Sequence, residues 1–168
     1  MTLAVCRCGE VTIELTGDPI ESATCYCESC RTAGLGFERD LGAPQTVNAD
    51  GGVDYCLYRK DRVQIGQGIH RLREYRLKPH SPTRRVVASC CGSPMFADYT
   101  KGHWLTLYRN RITGYPPKPQ VRVMTKDKPE NVELSGTVPT YETLSPGLMV
   151  KLLVAWAAMG FRRPKIAP

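Results

Sequence analysis

The residues best suited to chemistry in this sequence are its cysteines, which are clustered rather than scattered. Seven of the eight fall in three short segments, CRC at 6–8, CYCESC at 25–30 and CC at 90–91. A turn can place neighbouring sulfurs about 2.3 Å from one ion, and thiolates favour zinc, with iron as the rival. The spacing therefore predicts bound metal, with zinc as the expected ion and one or two ions per chain.

The seven thiols divide into a group of four and a group of three. The predicted metal ligands are Cys6, Cys8, Cys90 and Cys91 in the first group and Cys25, Cys27 and Cys30 in the second. Four thiolates complete the tetrahedral shell of a structural zinc, whereas three leave one coordination position open. We therefore expect the fourth ligand of the second group to be the substrate. The eighth cysteine, Cys56, lies in an apolar segment and is expected to be an inert buried thiol.

The elements that must position these thiols are mostly short strands. Apolar and β-branched segments separated by Gly and Pro indicate strands at 10–15, 53–58, 68–77, 84–90 and 103–108. The pattern predicts a mainly β domain over residues 1–112.

The remainder, residues 113–168, is predicted to be a Pro-rich extension that ends in a helix over 145–160. Ser145 suits the N-cap, Pro146 the first helical position and Gly160 the stop. The helix is apolar on almost all sides except at Lys151, yet about 14 residues span only ~21 Å, which is short of a bilayer. We expect it to pack on the same domain or on a partner subunit as a homodimer; a helix on a membrane surface is the alternative.

Composition narrows the functional classes. The chain has 168 residues, 42% hydrophobic content and a net charge of +7, which suits one soluble basic domain with a real core. An aromatic content of 8% offers no evident platform for stacking bases, so nucleic acid is a disfavoured partner. The N-terminal residues lack a secretory signal, and clustered thiols fit a reducing compartment, so we expect a cytoplasmic protein without a transmembrane segment.

Three blocks in order, CRCGEVTIEL, CYCESCRTAG and CCGSP, resemble the glutathione-dependent formaldehyde-activating enzyme family, which includes centromere protein V. The likeness covers about residues 5–97. It implies a β-rich Mss4-like fold with one structural zinc and a second zinc on three cysteines, and carbon–sulfur bond chemistry that joins formaldehyde to glutathione. By motif, Cys6 and Cys8 match the first structural pair, and the CYCESC thiols match the three-thiolate site.

The third block departs from the family pattern C-x-x-C-G. Ala88 stands where the first cysteine belongs, and Cys90 is shifted next to Cys91. Adjacent residues in a strand point to opposite faces, so both can bind one metal only if the backbone turns sharply. Three roles are open for Cys90: it serves the structural site, it reaches the other site, or it binds nothing.

The sequence thus predicts a zinc-dependent carbon–sulfur lyase that acts on a glutathione adduct or a similar small thiol. No catalytic residue is predicted outside the metal site. Arg31 and Arg7 are expected to offset the thiolate charge, and Arg31 is also expected to bind the anionic thiol. The alternative is a zinc-stabilised binding module for nucleic acid or protein with no catalysis, and a redox role for Cys90 and Cys91 is a distant third.

Overall fold

In the computed structural model, which describes residues 2–166, ten strands form two sheets that are flanked by two α-helices. The strands are Thr2–Val5 (β1), Thr12–Leu15 (β2), Glu21–Cys25 (β3), Val53–Arg59 (β4), Val63–Ile65 (β5), Leu72–Tyr75 (β6), Thr83–Ala88 (β7), Ser93–Tyr99 (β8), Trp104–Tyr108 (β9) and Val121–Val123 (β10). The helices are Glu28–Leu41 (α1) and Pro146–Ala158 (α2). Short 3-10 turns occupy Lys60–Arg62, Ile69–Arg71, Arg109–Arg111 and Thr125–Asp127.

The larger sheet has seven strands in the order β10-β3-β4-β9-β8-β7-β6, and the smaller has the order β1-β2-β5. Neighbouring strands are antiparallel except β10, which pairs in parallel with β3. The prediction of a mainly β fold with a C-terminal helix is therefore confirmed.

Side chains alternate in direction along the central strands, so the two faces of the larger sheet belong to two different hydrophobic cores. On β4, Cys56 and Tyr58 belong to the core shared with the smaller sheet. Tyr55 and Leu57 point the other way, into a second core that includes residues of α2. Because successive side chains of a strand point to opposite faces, one sheet fills two cores. Cys25 and Cys30 pack against the second of these cores.

Helix α2 begins where the sequence predicts. The Ser145 hydroxyl accepts a hydrogen bond from the Leu148 amide at 3.0 Å, a cap that is typically worth about 1 kcal/mol. Leu148 and Leu152 are buried against the sheet, whereas Val150 and Val154 are 60% and 62% exposed. An apolar helix thus covers the sheet with one side and leaves its other side exposed.

Strands β1, β3, β5, β8 and β10 lie outside the predicted segments, and two further elements differ from the sequence-based expectation. Helix α1 was not predicted; it begins directly after Cys27 and packs Ala33 and Phe37 against β7. The predicted strand at 68–77 begins only at Leu72, because Gly68 has a left-handed φ of 72° and starts a 3-10 turn.

The Pro-rich extension contributes to the fold rather than forming a separate unit. Strand β10 within it pairs in register with β3, with Val123 opposite Cys25. Between residues 2 and 166 no helix has the length and apolar character needed to cross a membrane.

Candidate metal centres

The first cysteine group gathers four sulfurs from opposite ends of the sequence. Cys6 and Cys8 lie in the turn after β1, and Cys90 and Cys91 lie in the turn after β7. The Cys8 sulfur is 3.2 Å from that of Cys90 and 3.5 Å from that of Cys6, and the Cys6 and Cys90 sulfurs are 3.8 Å apart. All four sulfurs lie within 4.8 Å of one another. We call this set the four-cysteine cluster.

A sharp turn explains how adjacent cysteines reach one point. Strand β7 ends at Ala88, and the Cys91 amide donates to the Ala88 carbonyl oxygen at 3.3 Å. Gly92 follows with a φ of 69°, and a Cβ at this position would overlap the carbonyl oxygen of Leu41. Cys90 and Cys91 therefore lie in a glycine-dependent turn rather than in an extended strand. Of the three roles left open for Cys90, its geometry matches the one in the four-cysteine cluster.

The spacing of these sulfurs fits a tetrahedral thiolate-bound ion. Sulfurs that each lie about 2.3 Å from a central zinc are separated by about 3.8 Å from one another. The recorded Cys–Cys separations, from 3.2 to 3.9 Å, are close to this value. Burial raises the pKa of Cys90; at Cys91 burial is outweighed by hydrogen bonds from Ser93, and its pKa falls to about 6.

The second cysteine group lies where strand β3 passes into helix α1. Cys25 is the last residue of β3, Cys27 caps α1, and Cys30 lies in the first helical turn. Their sulfurs lie within 4.8 Å of one another, and no His, Cys, Asp or Glu from residues 2–166 joins them as a fourth ligand. The Cys30 amide donates to the Cys27 carbonyl oxygen at 3.1 Å, so the first helical turn fixes these two residues. We call this set the three-cysteine cluster.

The three thiols of this cluster shift one another's pKa values. Contacts with Cys25 and Cys30 lower the pKa of Cys27 to about 2, whereas the contact with Cys27 raises the pKa of Cys25 far above its ordinary value. The bond with Cys25 lowers the pKa of Cys30, but its contact with Cys27 and its burial raise it overall. The protein thus stabilises one thiolate among the three, and a bound cation would stabilise all of them.

Three buried side chains surround Cys30 and were not found from the sequence. Burial raises the pKa of Tyr55 and of Tyr108, the latter to about 12, and the Cys30 thiol raises both further. Arg85 is 3% exposed, donates to the Ser29 carbonyl oxygen at 3.0 Å, and has no partner for its Nε among the described residues. A buried guanidinium next to Cys30 provides the positive charge that clustered thiolates require.

A signal for Arg85 exists in the sequence. Arg84 and Arg85 are adjacent in a strand, so one of them must face inward. Arg84 bonds the Asp98 carboxylate at 2.9 Å, which leaves Arg85 on the face of the cysteines.

A cavity of about 540 Å³ opens beside the three-cysteine cluster. One wall is the outward face of the larger sheet, and the other is helix α2. All three sulfur-bearing residues line it, together with Arg85 and Tyr55. The four-cysteine cluster contributes no residue to this cavity. Of the two groups of thiols, the three-cysteine cluster is therefore the one next to a space for a ligand.

The two arginines expected to offset the thiolate charge do not line the cavity. The Arg31 guanidinium donates to the backbone carbonyls of Tyr26 and Asp127, at 3.4 and 2.8 Å. Arg7 donates to the Cys91 carbonyl oxygen at 3.2 Å, beside the four-cysteine cluster. The role of Arg31 in binding the thiol stays a prediction. Cys56 is fully buried in the core between the sheets.

The fold and its thiols define a mainly β protein with two cysteine clusters that could each hold a metal ion. The sequence matches the family described as glutathione-dependent formaldehyde-activating enzyme over residues 1–127, and the chain belongs to this family. The two sheets agree with the Mss4-like fold that this membership implies.

No curated protein shows a significant match to the sequence. Among solved structures, a crystal structure of a Rhodobacter sphaeroides protein is similar, with 17% identity and a TM-score of 0.49. The match covers 68% of this chain and 91% of the other.

Proposed function

We propose that this protein joins a small thiol to an aldehyde carbon, or reverses that reaction as a carbon–sulfur lyase, with glutathione or a similar thiol. The observation that carries the proposal is the asymmetry between the clusters. Four cysteines meet in one cluster that contributes no residue to this cavity, whereas three meet on the cavity wall with no fourth protein ligand among the described residues. Family membership supports the same chemistry.

Each cluster would hold one zinc ion, which gives two per chain. The ligands would be the same seven cysteines that the sequence predicts, because soft thiolates in groups of four and three suit zinc. At the three-cysteine cluster, a zinc ion supplies a Lewis acid that lowers the pKa of a thiol in its open position. Cys25, Cys27 and Cys30 fix the place of that thiol at the cavity wall.

The surrounding side chains support the reaction by charge and by exclusion of water. As the sulfur–carbon bond forms, the π pair of the carbonyl moves to its oxygen, which gains the proton that the thiol lost. Arg85 and Tyr55 are buried on the cavity wall, and Arg85 favours the negative charge that gathers beside it. Helix α2 covers one side of the cavity with apolar side chains, which limits water there and strengthens these interactions.

We also propose a division of the chain, a compartment and an oligomeric state. Residues 1–112 form the zinc-binding part and 113–168 an extension that packs on it. The seven clustered thiols fit a reducing compartment such as the cytoplasm. The exposed outer side of α2, marked by Val150 and Val154, supports a homodimer through this helix.

The function is tested by the rate at which formaldehyde carbon exchanges between its free form and its glutathione adduct. We expect the zinc-loaded protein to accelerate this exchange, measured with ¹³C-formaldehyde by NMR exchange spectroscopy. Cys27→Ala should abolish the acceleration, while the control Cys56→Ala, outside both clusters, should retain it. A protein that carries two zinc ions and accelerates nothing would instead support a zinc-stabilised binding module.

A further inference from the structure

The cavity beside the three-cysteine cluster is much larger than formaldehyde requires. Its volume of about 540 Å³ falls in the range of pockets that bind drug-sized ligands, roughly 300–1,000 Å³. A thiol such as glutathione would occupy part of this space, and a one-carbon aldehyde would add almost nothing to it. The cavity therefore has room for a larger aldehyde, and its lining indicates which kind of body fits.

The cavity follows the larger sheet away from the cysteines. On strand β4, Val53 lies opposite Cys25 and Arg59 lies opposite Trp104. These two positions are six residues apart, or about 20 Å of strand. Both Cys25 and Trp104 line the cavity. The space is thus elongated, with the thiols near one end.

The lining between the ends is mostly apolar. From the sheet come Leu57 and Ala97, and from α2 come Leu148, Leu152 and Leu153. Thr106, which lies between Leu57 and Ala97, adds one hydroxyl, and the charged lining groups are Arg85 beside the thiols and Lys101 and Arg163 elsewhere on the wall. A ligand that matches this lining has a polar reacting end and an apolar body, because unpaired polar groups are costly in such surroundings.

We propose that the aldehyde partner of this protein carries an apolar chain or ring, which lies in the cavity between the sheet and α2. This inference rests on the function proposed above. The thiol sulfur bonds the aldehyde carbon, the carbonyl oxygen takes the π pair and the thiol proton, and no oxidant is required. The apolar substituent stays against Leu57 and Leu152 throughout.

Helix α2 is the element that selects for this substituent. It lies at residues 146–158, beyond the family match, which ends at residue 127. Three of its leucines and Trp156 line the cavity. The part of the chain outside the family match therefore builds the wall that an apolar substituent would contact.

Binding is measurable without any reaction, because both tryptophans of the chain, Trp104 and Trp156, line the cavity. Tryptophan fluorescence should respond to 1-butanol, 1-hexanol and 1-octanol, which share the chain of an aldehyde and cannot react. The dissociation constant should fall about fourfold for each added methylene. A constant that does not depend on chain length overturns the inference.

Two neighbouring residues of α2 provide a matched pair of variants. Leu153 is 58% exposed and lines the cavity, whereas Val154 is 62% exposed and does not. Leu153→Glu should weaken 1-octanol binding at least tenfold, and Val154→Glu should leave it unchanged. Both sites tolerate a charge without unfolding because both are half-exposed.

The reaction itself separates this inference from the proposed function. With glutathione present, the aldehyde concentration that gives half-maximal rate should fall steadily from formaldehyde to hexanal. Leu153→Glu should raise this concentration for hexanal alone. If formaldehyde reacts and chain length has no effect, the inference fails and the proposed function stands. If 1-octanol binds and no aldehyde reacts, the proposed function fails, and the aldehyde assignment fails with it.

Discussion

The two cysteine clusters consist of the same type of residue, but they differ in their surroundings. The four-cysteine cluster brings the turn after β1 to the turn after β7, although 82 positions of sequence separate Cys8 from Cys90. The three-cysteine cluster draws its residues from six consecutive positions at one strand–helix junction. A long-range set of four restrains the fold, whereas a local set of three restrains little and leaves room for a ligand.

Burial and charge extend this contrast. The three-cysteine cluster has Arg85, Tyr55 and Tyr108 buried around Cys30 and a cavity on its open side. The four-cysteine cluster has Cys8 exposed to solvent and contributes no residue to this cavity. Buried charge beside a cavity is the environment expected of a reactive site, whereas a set of four thiols can complete a metal shell without a further ligand.

The largest expected effect is on stability, from Cys8→Ser. The free energy of binding a structural zinc contributes directly to folding and is about 10–16 kcal/mol in zinc-finger peptides. Loss of one of the four ligands should therefore unfold or greatly destabilise the protein. Cys56→Ser should cost far less, because this thiol belongs to neither cluster. Thermal melts of both variants check this; equal damage from the two would contradict our division of the thiols.

Removal of residues 145–168 should come next in size. The deletion strips Leu148 and Leu152 from the second core, a loss of at least about 3 kcal/mol by apolar burial. It should also expose the cavity wall and cause aggregation or loss of a dimer. Metal content should stay at two ions per chain, because every clustered cysteine precedes residue 92. Sedimentation with elemental analysis measures both quantities.

Arg85→Met should weaken the three-cysteine cluster without unfolding the protein. Groups that surround metal ligands typically contribute 10–100-fold to metal affinity, so we expect a loss of that size at one of two sites. Arg84→Met is the matched control, since its side chain bonds Asp98 on the other face. Competition with a chelator should show one weakened site for Arg85→Met and none for Arg84→Met.

The smallest expected effect concerns pH and the helix that covers the cavity. His103 is buried, its Nε2 bonds the Leu152 carbonyl at 2.8 Å, and its ring stacks on Trp156. Burial lowers its pKa below the usual 6.5, so the unfolded state binds a proton more readily. Its contribution to stability is therefore present above pH 6.5 and lost as the pH falls. The melting temperature should decrease between pH 8 and pH 5.5, and the decrease should be smaller in His103→Gln than in the parent protein.

Much of the contrast between the two cysteine clusters can be predicted from the sequence, because it depends on the spacing of the cysteines along the chain. The division into four and three follows from position and motif alone, as does α2 with its cap at Ser145. The role of Cys90 did not follow, because it depends on the turn that Gly92 permits. Sequence periodicity does not show where a strand ends in a sharp turn.

The missed elements have identifiable causes. Strand β8 contains Pro94, which favours a break, yet Pro94 sits beside the register shift between β7 and β8, where it is tolerated. Helix α1 contains Gly34 and Gly36, which weaken a helical pattern, and its signal lies in the pair Ala33 and Phe37. The cavity depends on the distance between α2 and the sheet, which no local pattern encodes.

The most direct test of the central claim is a titration of glutathione into the cobalt-substituted protein. An exogenous thiol at the three-cysteine cluster should increase the thiolate-to-metal absorption, saturate at one glutathione per chain on the order of a millimolar or below, and release a proton near neutral pH. Cys27→Ala should show no increase. An unchanged spectrum in the parent protein would contradict an open position at these three cysteines.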